Sequence, residues 1–325
     1  MKRSLLGGMA VAALLAGALV TSPASALRPQ EAAGGDRCKD DGRSSARVEI
    51  GTSKWRDPNH LTRKQAGAME SRVSSLLDRE GIKTTARPNG SVEIPVDFHI
   101  ITKRDGTGNV SDRRIERQMT VLNHAFSGRT SASASDTPFR FRLASVERVR
   151  NGNWYNMNYE NSKDARQALR VGDARHLNVY TTNFAGNLQG VLGFATFPET
   201  YRQHPRLDGM VLLNESLPGG DAAGGGFAYN RGDTGTHEVG HWLNLYHTFQ
   251  GGCGKHSDYV VDTAWQLDEA NIFYCRAANT CGLPTSRPDP IHNFMSYGDD
   301  PCLNEFTRGQ RDRMNVSWYV RLALS

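Results

Sequence analysis

The sequence predicts an α/β (α+β) fold, one twisted mixed sheet with helices laid against it, and three observations carry that expectation. The 325 residues are 38% hydrophobic and 22% charged, which describes a soluble globular chain and excludes collagen, coiled coil and outright disorder. From Val92 onward, β-branched and aromatic runs alternate with stretches of helical period. No apolar run reaches the roughly 18 residues a membrane helix needs.

The elements follow in order. Lys2 and Arg3 precede an apolar run from Leu5 to Val20, and Ala24-Ser25-Ala26 offers small residues for cleavage, so residues 1–26 read as a secretory signal. Residues 27–60 are polar and without period, and an irregular segment is expected. Ala66, Met69, Val73, Leu76 and Leu77 recur at helical spacing, with Gly81 placed to end that helix. Arg87-Pro88-Asn89-Gly90 reads as a turn, which sets a boundary near residue 88, and the basic stretch from Gly81 to Gly90 reads as a processing site. Val92 to Ile101 is a strand, and Ser111 is placed to cap a helix carrying Ile115, Met119, Leu122 and Phe126. Phe139 to Val149 alternates as a half-buried strand through Phe139, Phe141 and Leu143. Leu177 to Thr181, Val191 to Phe197 and Gly209 to Leu213 are three further strands. Pro218 to Gly226 is a glycine-rich connection, and Cys253 to Pro290 lacks period and needs staples or ions to hold a shape. Thr307 and Gln310 form a capping-box pattern for a final helix through Met314, Val316, Trp318 and Leu322.

Charge argues against nucleic acid as a partner. The chain carries a net +5, yet residues 27–88 hold 13 Lys and Arg against 9 Asp and Glu, while 89–325 hold 24 against 25. Five cysteines in an exported chain point to disulfides. Cys253, Cys275, Cys281 and Cys302 cluster near the C-terminus, allowing three pairings among which spacing does not choose, and Cys38 stands apart.

The chemistry begins at His237-Glu238-Val239-Gly240-His241. Residues four apart share one helical face, so both imidazoles reach one zinc ion, and Glu238 stands beside the metal-bound water as general base. His247 lies six positions after His241, off that face, and joins only if the chain turns sharply at Asn244, which must then be left-handed. Three histidines leave a coordination position for water, as a catalytic zinc requires.

The run His237 to His247 resembles the extended zinc motif of the metzincin metalloproteases, with Asn244 where their pattern usually has Gly, and Asn293-Phe294-Met295-Ser296-Tyr297 resembles their Met-turn. Within the metzincins the chain resembles the pappalysin-like, or cytophagalysin, branch. The residues that carry this are Thr236-His-Glu-Val-Gly-His, Leu245-Tyr-His-Thr-Phe, Asp262-Thr263, Pro290-Ile-His-Asn-Phe-Met and Asn304-Glu-Phe-Thr. The resemblance implies an upper subdomain of twisted sheet backed by two helices, one of them zinc-binding. It implies an irregular, disulfide-stapled lower subdomain with a C-terminal helix, and a cleft between the two.

Carried over, the resemblance makes His237, His241 and His247 zinc ligands, Glu238 the catalytic base and acid, Met295 the Met-turn methionine and Tyr297 a stabiliser of the transition state. It implies the disulfides Cys253–Cys281 and Cys275–Cys302, and Phe194 to Phe197 as the edge along which substrate aligns. Asp258 and Asp262 fall where some relatives bind calcium. Cys38, between Arg37 and Lys39, is a candidate for a cysteine switch whose thiolate holds zinc in a latent form. Asp299 and Asp300 are placed to line a pocket favouring Arg or Lys after the scissile bond. The other histidines read as structural. The expectation is a secreted, monomeric zinc endopeptidase made as a zymogen: signal 1–26, pro-segment 27–88 and catalytic domain 89–325. Its partners are protein or peptide substrates, without nucleic acid and without a membrane in the mature form.

Overall fold

A computed structural model describes residues 47–49, 61–254, 256–268, 270–282 and 287–324. The signal segment 1–26 and Cys38 lie outside the described residues. Contacts gather residues 42–325 into one compact unit and place no break near residue 88.

The first helix, α1 (Arg63–Arg79), starts at a complete Thr62/Gln65 capping box and ends where Gly81 takes φ 59°. Its Ala66 and Met69 pack on Phe197 and Tyr246. Strand β1 (Val92–Thr102) follows, then α2 (Asp112–Phe126), β2 (Phe139–Arg150), the short α3 (Gly152–Tyr155) and β3 (Asn156–Met157). After α4 (Tyr159–Leu169) come β4 (Leu177–Phe184), β5 (Gly193–Ala195) and β6 (Met210–Leu213). The hairpin of β7 (Ala223–Gly224) and β8 (Phe227–Ala228) precedes α5 (Asp233–Trp242), and α6 (Arg308–Ala323) closes the chain.

The sheet runs β2-β1-β4-β6-β5, parallel except for β5, which is antiparallel to β6, and β3 pairs with β4 at its side. Ile94, Val96, Phe98 and Ile100 alternate onto the face that packs against Ile115, Leu122 and Phe126 of α2 and Val239 and Trp242 of α5. Ile101, Tyr180, Phe194 and Val211 form a second core on the opposite face. A mostly parallel sheet covered on both sides explains why β1 is buried almost throughout.

Three local expectations change. Ser111 sits at the start of α2, but its side chain makes no capping bond. In β2 only Phe139 and Phe141 are buried; Leu143 is 37% exposed, because β2 is the sheet edge and its second half faces solvent. Helix α4 has no counterpart in the sequence reading. Its inward residues are Ser162, Ala165 and Arg166, a face hydrophobic period does not mark, and Asn158 starts it with a capping box.

Beyond α5 the chain is irregular, joined Cys253 to Cys281 and Cys275 to Cys302 with Cα–Cα separations of 5.5 and 5.6 Å. Asp262 receives Thr307 Oγ1–H and the Gly309 N–H, tying this loop to the first turn of α6. Among the described residues, no helix is long and apolar enough to cross a membrane.

Candidate active site

Helix α5 is buried from Thr234 to Trp242 and carries His237 and His241 on one face. It ends at Leu243, and Asn244 takes φ 73°. The Leu245 N–H then reaches back to Gly240 O at 2.8 Å, and the reversed chain delivers His247. Arg313 of α6 fixes this turn, its Nε donating to Asn244 O at 2.7 Å while its other nitrogens hold Glu70 of α1.

The three imidazoles converge. Nε2 of His241 lies 3.1 Å from that of His237 and 3.0 Å from that of His247, with 3.2 Å between the last two. Nδ1 of His237 faces Phe294 O at 2.7 Å, and Nδ1 of His241 faces Leu245 O at 2.8 Å. A carbonyl only accepts, so in both rings Nδ1 carries the proton and Nε2 turns its lone pair inward. Burial drives His237 well below its ordinary pKa, with His241 and Arg47 adding to the effect, and burial takes His241 down to about 4. Neutral rings with lone pairs facing one another repel unless a cation sits between them. Nitrogens about 2.0–2.1 Å from one tetrahedral ion stand about 3.3 Å apart, close to the spacing found. The donor set therefore fits zinc.

Glu238 is fully buried beside His237. A Cβ at Gly193 of β5 would stand 3.0 Å from its Cγ, so glycine there makes room for the carboxylate. Burial pushes its pKa up to about 8, while the Arg47 main-chain N–H, which donates to it, and the Arg47 charge pull it down. Met295 is wholly buried and its sulfur occupies the space a side chain at Gly240 would need, so the zinc helix and the Met-turn interlock at that glycine. Tyr297 is also buried, its ring 4.8 Å from His247 and 6.0 Å from His237 between centroids.

The strand expected over Val191 to Phe197, with its edge at Phe194 to Phe197, is β5 in the register Gly193–Ala195, extended by the bonds of Leu213 N–H to Leu192 O and Thr196 N–H to Gly209 O. Phe194 to Phe197 line a cavity of about 300 Å³ shared with Leu61 and Met69. Of the two acids after the Met-turn, Asp300 is buried, 2.8 Å from Nη1 of Arg47, and Asp299 instead accepts the Ala228 N–H at 3.4 Å. Asp258 is buried and accepts the Val260 N–H, and Asp262 is engaged at α6. His292 lies beside the Cys275–Cys302 disulfide, whose sulfurs offer no thiolate.

The sequence reading missed Arg47, which it left in an irregular segment; nothing in local period marks that residue, and only Asp300 opposite it reveals the pairing. It also missed Asp208, whose carboxylate receives Trp242 Nε1 and Arg321 Nη1 and anchors the end of α5.

Comparison with known proteins agrees with this geometry. A family profile described as Peptidase M43, pregnancy-associated plasma protein-A, matches residues 158–318. An extracellular metalloprotease of Verticillium alfalfae is 36% identical over 240 residues, covering 71% of this chain and 79% of that protein. An extracellular metalloprotease of Neurospora crassa is 34% identical over 255 residues, 75% and 80% of the two chains. Among solved structures, Tannerella forsythia promirolysin superposes with a TM-score of 0.64 at 23% identity, covering 81% of this chain and 95% of that one, and so shows a shared fold. The chain belongs to the M43 metallopeptidase family.

Proposed function

We propose that this chain is a secreted, zinc-dependent endopeptidase, made as a zymogen, that cuts proteins on the amino side of Arg or Lys. The observation that carries the reading is the convergence of three Nε2 atoms within 3.0–3.2 Å of one another, with Glu238 beside them. His237, His241 and His247 would hold the zinc, which would supply there the Lewis-acid chemistry that lowers the pKa of a water and polarises a carbonyl. Glu238 takes the water proton and passes it to the departing nitrogen, which needs no covalent acyl intermediate. The carbonyls of Phe294 and Leu245 keep two ligands in the tautomer that binds metal. Tyr297, packed against His247, is placed to steady the tetrahedral oxyanion. Asp300, buried and already matched to a guanidinium, supplies the preference for a cationic side chain.

The test is casein digestion by the processed protein, with and without a zinc chelator, beside Glu238→Ala. Activity that disappears in both arms, with zinc still bound to the variant, is the expected result. Stoichiometric zinc without cleavage by a fully processed wild type would turn the reading toward a non-catalytic binding protein.

A further inference from the structure

Strand β5 ends the sheet, and its last residues border a cavity that the hydrolytic chemistry leaves unused. Four consecutive residues, Phe194 to Phe197, line this space of about 300 Å³, so it follows the strand. Ligand sites begin at about that size. Gly193 adjoins Glu238, and the Phe197 ring lies 5.4 Å from that of His241, so the cavity starts beside the reaction centre.

Arg166 of α4 lines the same cavity and is 3% exposed. Its nitrogens donate to Ser162 O at 3.2 Å, to Leu207 O at 2.9 Å and to Ser162 Oγ at 3.2 Å, and its guanidinium lies 5.3 Å from the centroid of the Phe194 ring. A guanidinium has five N–H groups, and these bonds use three. Among the described residues, no carboxylate forms an ion pair with it. Asp208 acts on Arg166 from a distance, but its oxygens are taken. They receive Arg321 Nη1 at 3.0 Å, Trp242 Nε1 at 3.2 Å and Thr196 Oγ1 at 3.0 Å, and Arg170 Nη2 stands 3.7 Å away. Three guanidiniums therefore share one buried carboxylate. Arg72 and Glu199, also on the cavity wall, pair with each other and add no net charge. A buried cation is costly unless an anion matches it, and the fold leaves this one short.

The sheet edge indicates which part of a substrate would meet that charge. Val48 stands antiparallel to Val191, with Arg47 O accepting the Leu192 N–H at 2.8 Å, which is the sense in which an extended segment adds here. A substrate laid in that sense, with its cationic side chain at Asp300, passes Gly193 to Phe197 with the residues that precede the scissile bond.

We propose that the cavity beside β5 is a subsite for an acidic side chain, Asp or Glu, carried by the substrate before the bond that is cut, and that Arg166 selects it. The substrate carboxylate supplies the anion that Asp208 cannot, through charge-assisted bonds to the remaining guanidinium N–H groups. The substrate class is then polypeptide with an acid before the cut and a base after it. Arg166 and β5 both lie within residues 89–325, so the charge of the subsite does not depend on where the pro-segment ends. The inference rests on the endopeptidase reading.

The test is kcat/KM of the processed, zinc-loaded protein on quenched-fluorescence peptides that hold one Arg and carry Glu, Gln or Lys at each of the four positions before it. Arg166→Gln and Arg166→Lys are measured beside wild type. At one of those positions Glu is expected to exceed Gln by about tenfold, with Lys below Gln. Arg166→Gln should bring the Glu to Gln ratio to about one, and Arg166→Lys, which keeps a charge, should retain part of it. The ratio is taken on one enzyme at a time, so lower overall activity in a variant does not alter it, and the wild-type series decides the matter where a variant fails to fold. Cutting with Glu no better than Gln at every position overturns the inference and leaves the endopeptidase reading standing. A preference for Glu that Arg166→Gln keeps in full also overturns it. Failure of the wild type to cut any peptide or casein sinks both.

Discussion

The turn at Asn244 makes the sharpest test of how this fold builds its site. At φ 73° a β-carbon crowds the neighbouring carbonyl, at about 1–2 kcal/mol for an ordinary residue, and asparagine tolerates the region better than most. Asn244→Ala should therefore cost about 1 kcal/mol. Asn244→Gly should come out near zero, because relief of strain in the fold is offset by about 0.5–1 kcal/mol of extra freedom in the unfolded chain. The backbone contacts that hold the turn, Leu245 N–H to Gly240 O and Arg313 Nε to Asn244 O, survive both changes.

The cost can appear in two places. If the turn stays closed without metal, the alanine variant loses stability and keeps its zinc affinity. If it relaxes until zinc closes it, stability is spared and affinity drops, by up to about tenfold for 1.4 kcal/mol. The assay is urea unfolding of metal-free protein together with zinc titration against a competing chelator, for wild type, alanine and glycine. The sum of the two losses should be about 1 kcal/mol for alanine and near zero for glycine. An alanine variant equal to wild type in both would refute the claim that left-handed backbone at residue 244 delivers His247.

Three other outcomes follow from particular contacts. Gly240→Ala pushes a methyl into Met295; overpacking of about 1–3 kcal/mol outweighs a helix-propensity gain of about 1 kcal/mol, and zinc binding should weaken. Adding Met295→Ala should restore part of the loss, and strict additivity in a double-mutant cycle would deny the contact. Opening Cys253–Cys281 by a double change to serine frees a separation of 28 residues, which chain entropy puts at about 3–4 kcal/mol, and thermal unfolding before and after will show it. Burial raises Asp258 to about 7, far above its unfolded value, so its contribution to stability is greatest in acid and falls away as pH rises from about 4 to about 7. In metal-free buffer Asp258→Asn should gain on wild type between pH 5 and pH 8, by up to about 2–3 kcal/mol; equal differences at both pH values would show that this carboxyl does not titrate so.

What the sequence discloses tracks the range over which each interaction acts. The His237 to His241 spacing and the Thr307/Gln310 and Gly81 helix ends are written within one or two helical turns, and the structure has helices at each. The same holds for the left-handed Asn244, since only five residues between two histidines leave few backbone routes. Legibility fails where the deciding partner is far along the chain. Leu143 alternates like a buried residue, but its exposure depends on β2 being an edge, a property of the whole sheet. Helix α4 packs through Ser162 and Arg166, and Arg166 is held by Leu207 O, so its inner face looks polar until the partner is in place. Arg47 is the extreme case, matched by Asp300 and Gly298 some 250 residues away. An isolated arginine in a polar segment carries no local sign of function; it acquires one when the fold supplies a carboxylate for its guanidinium and Glu238 for its nitrogen.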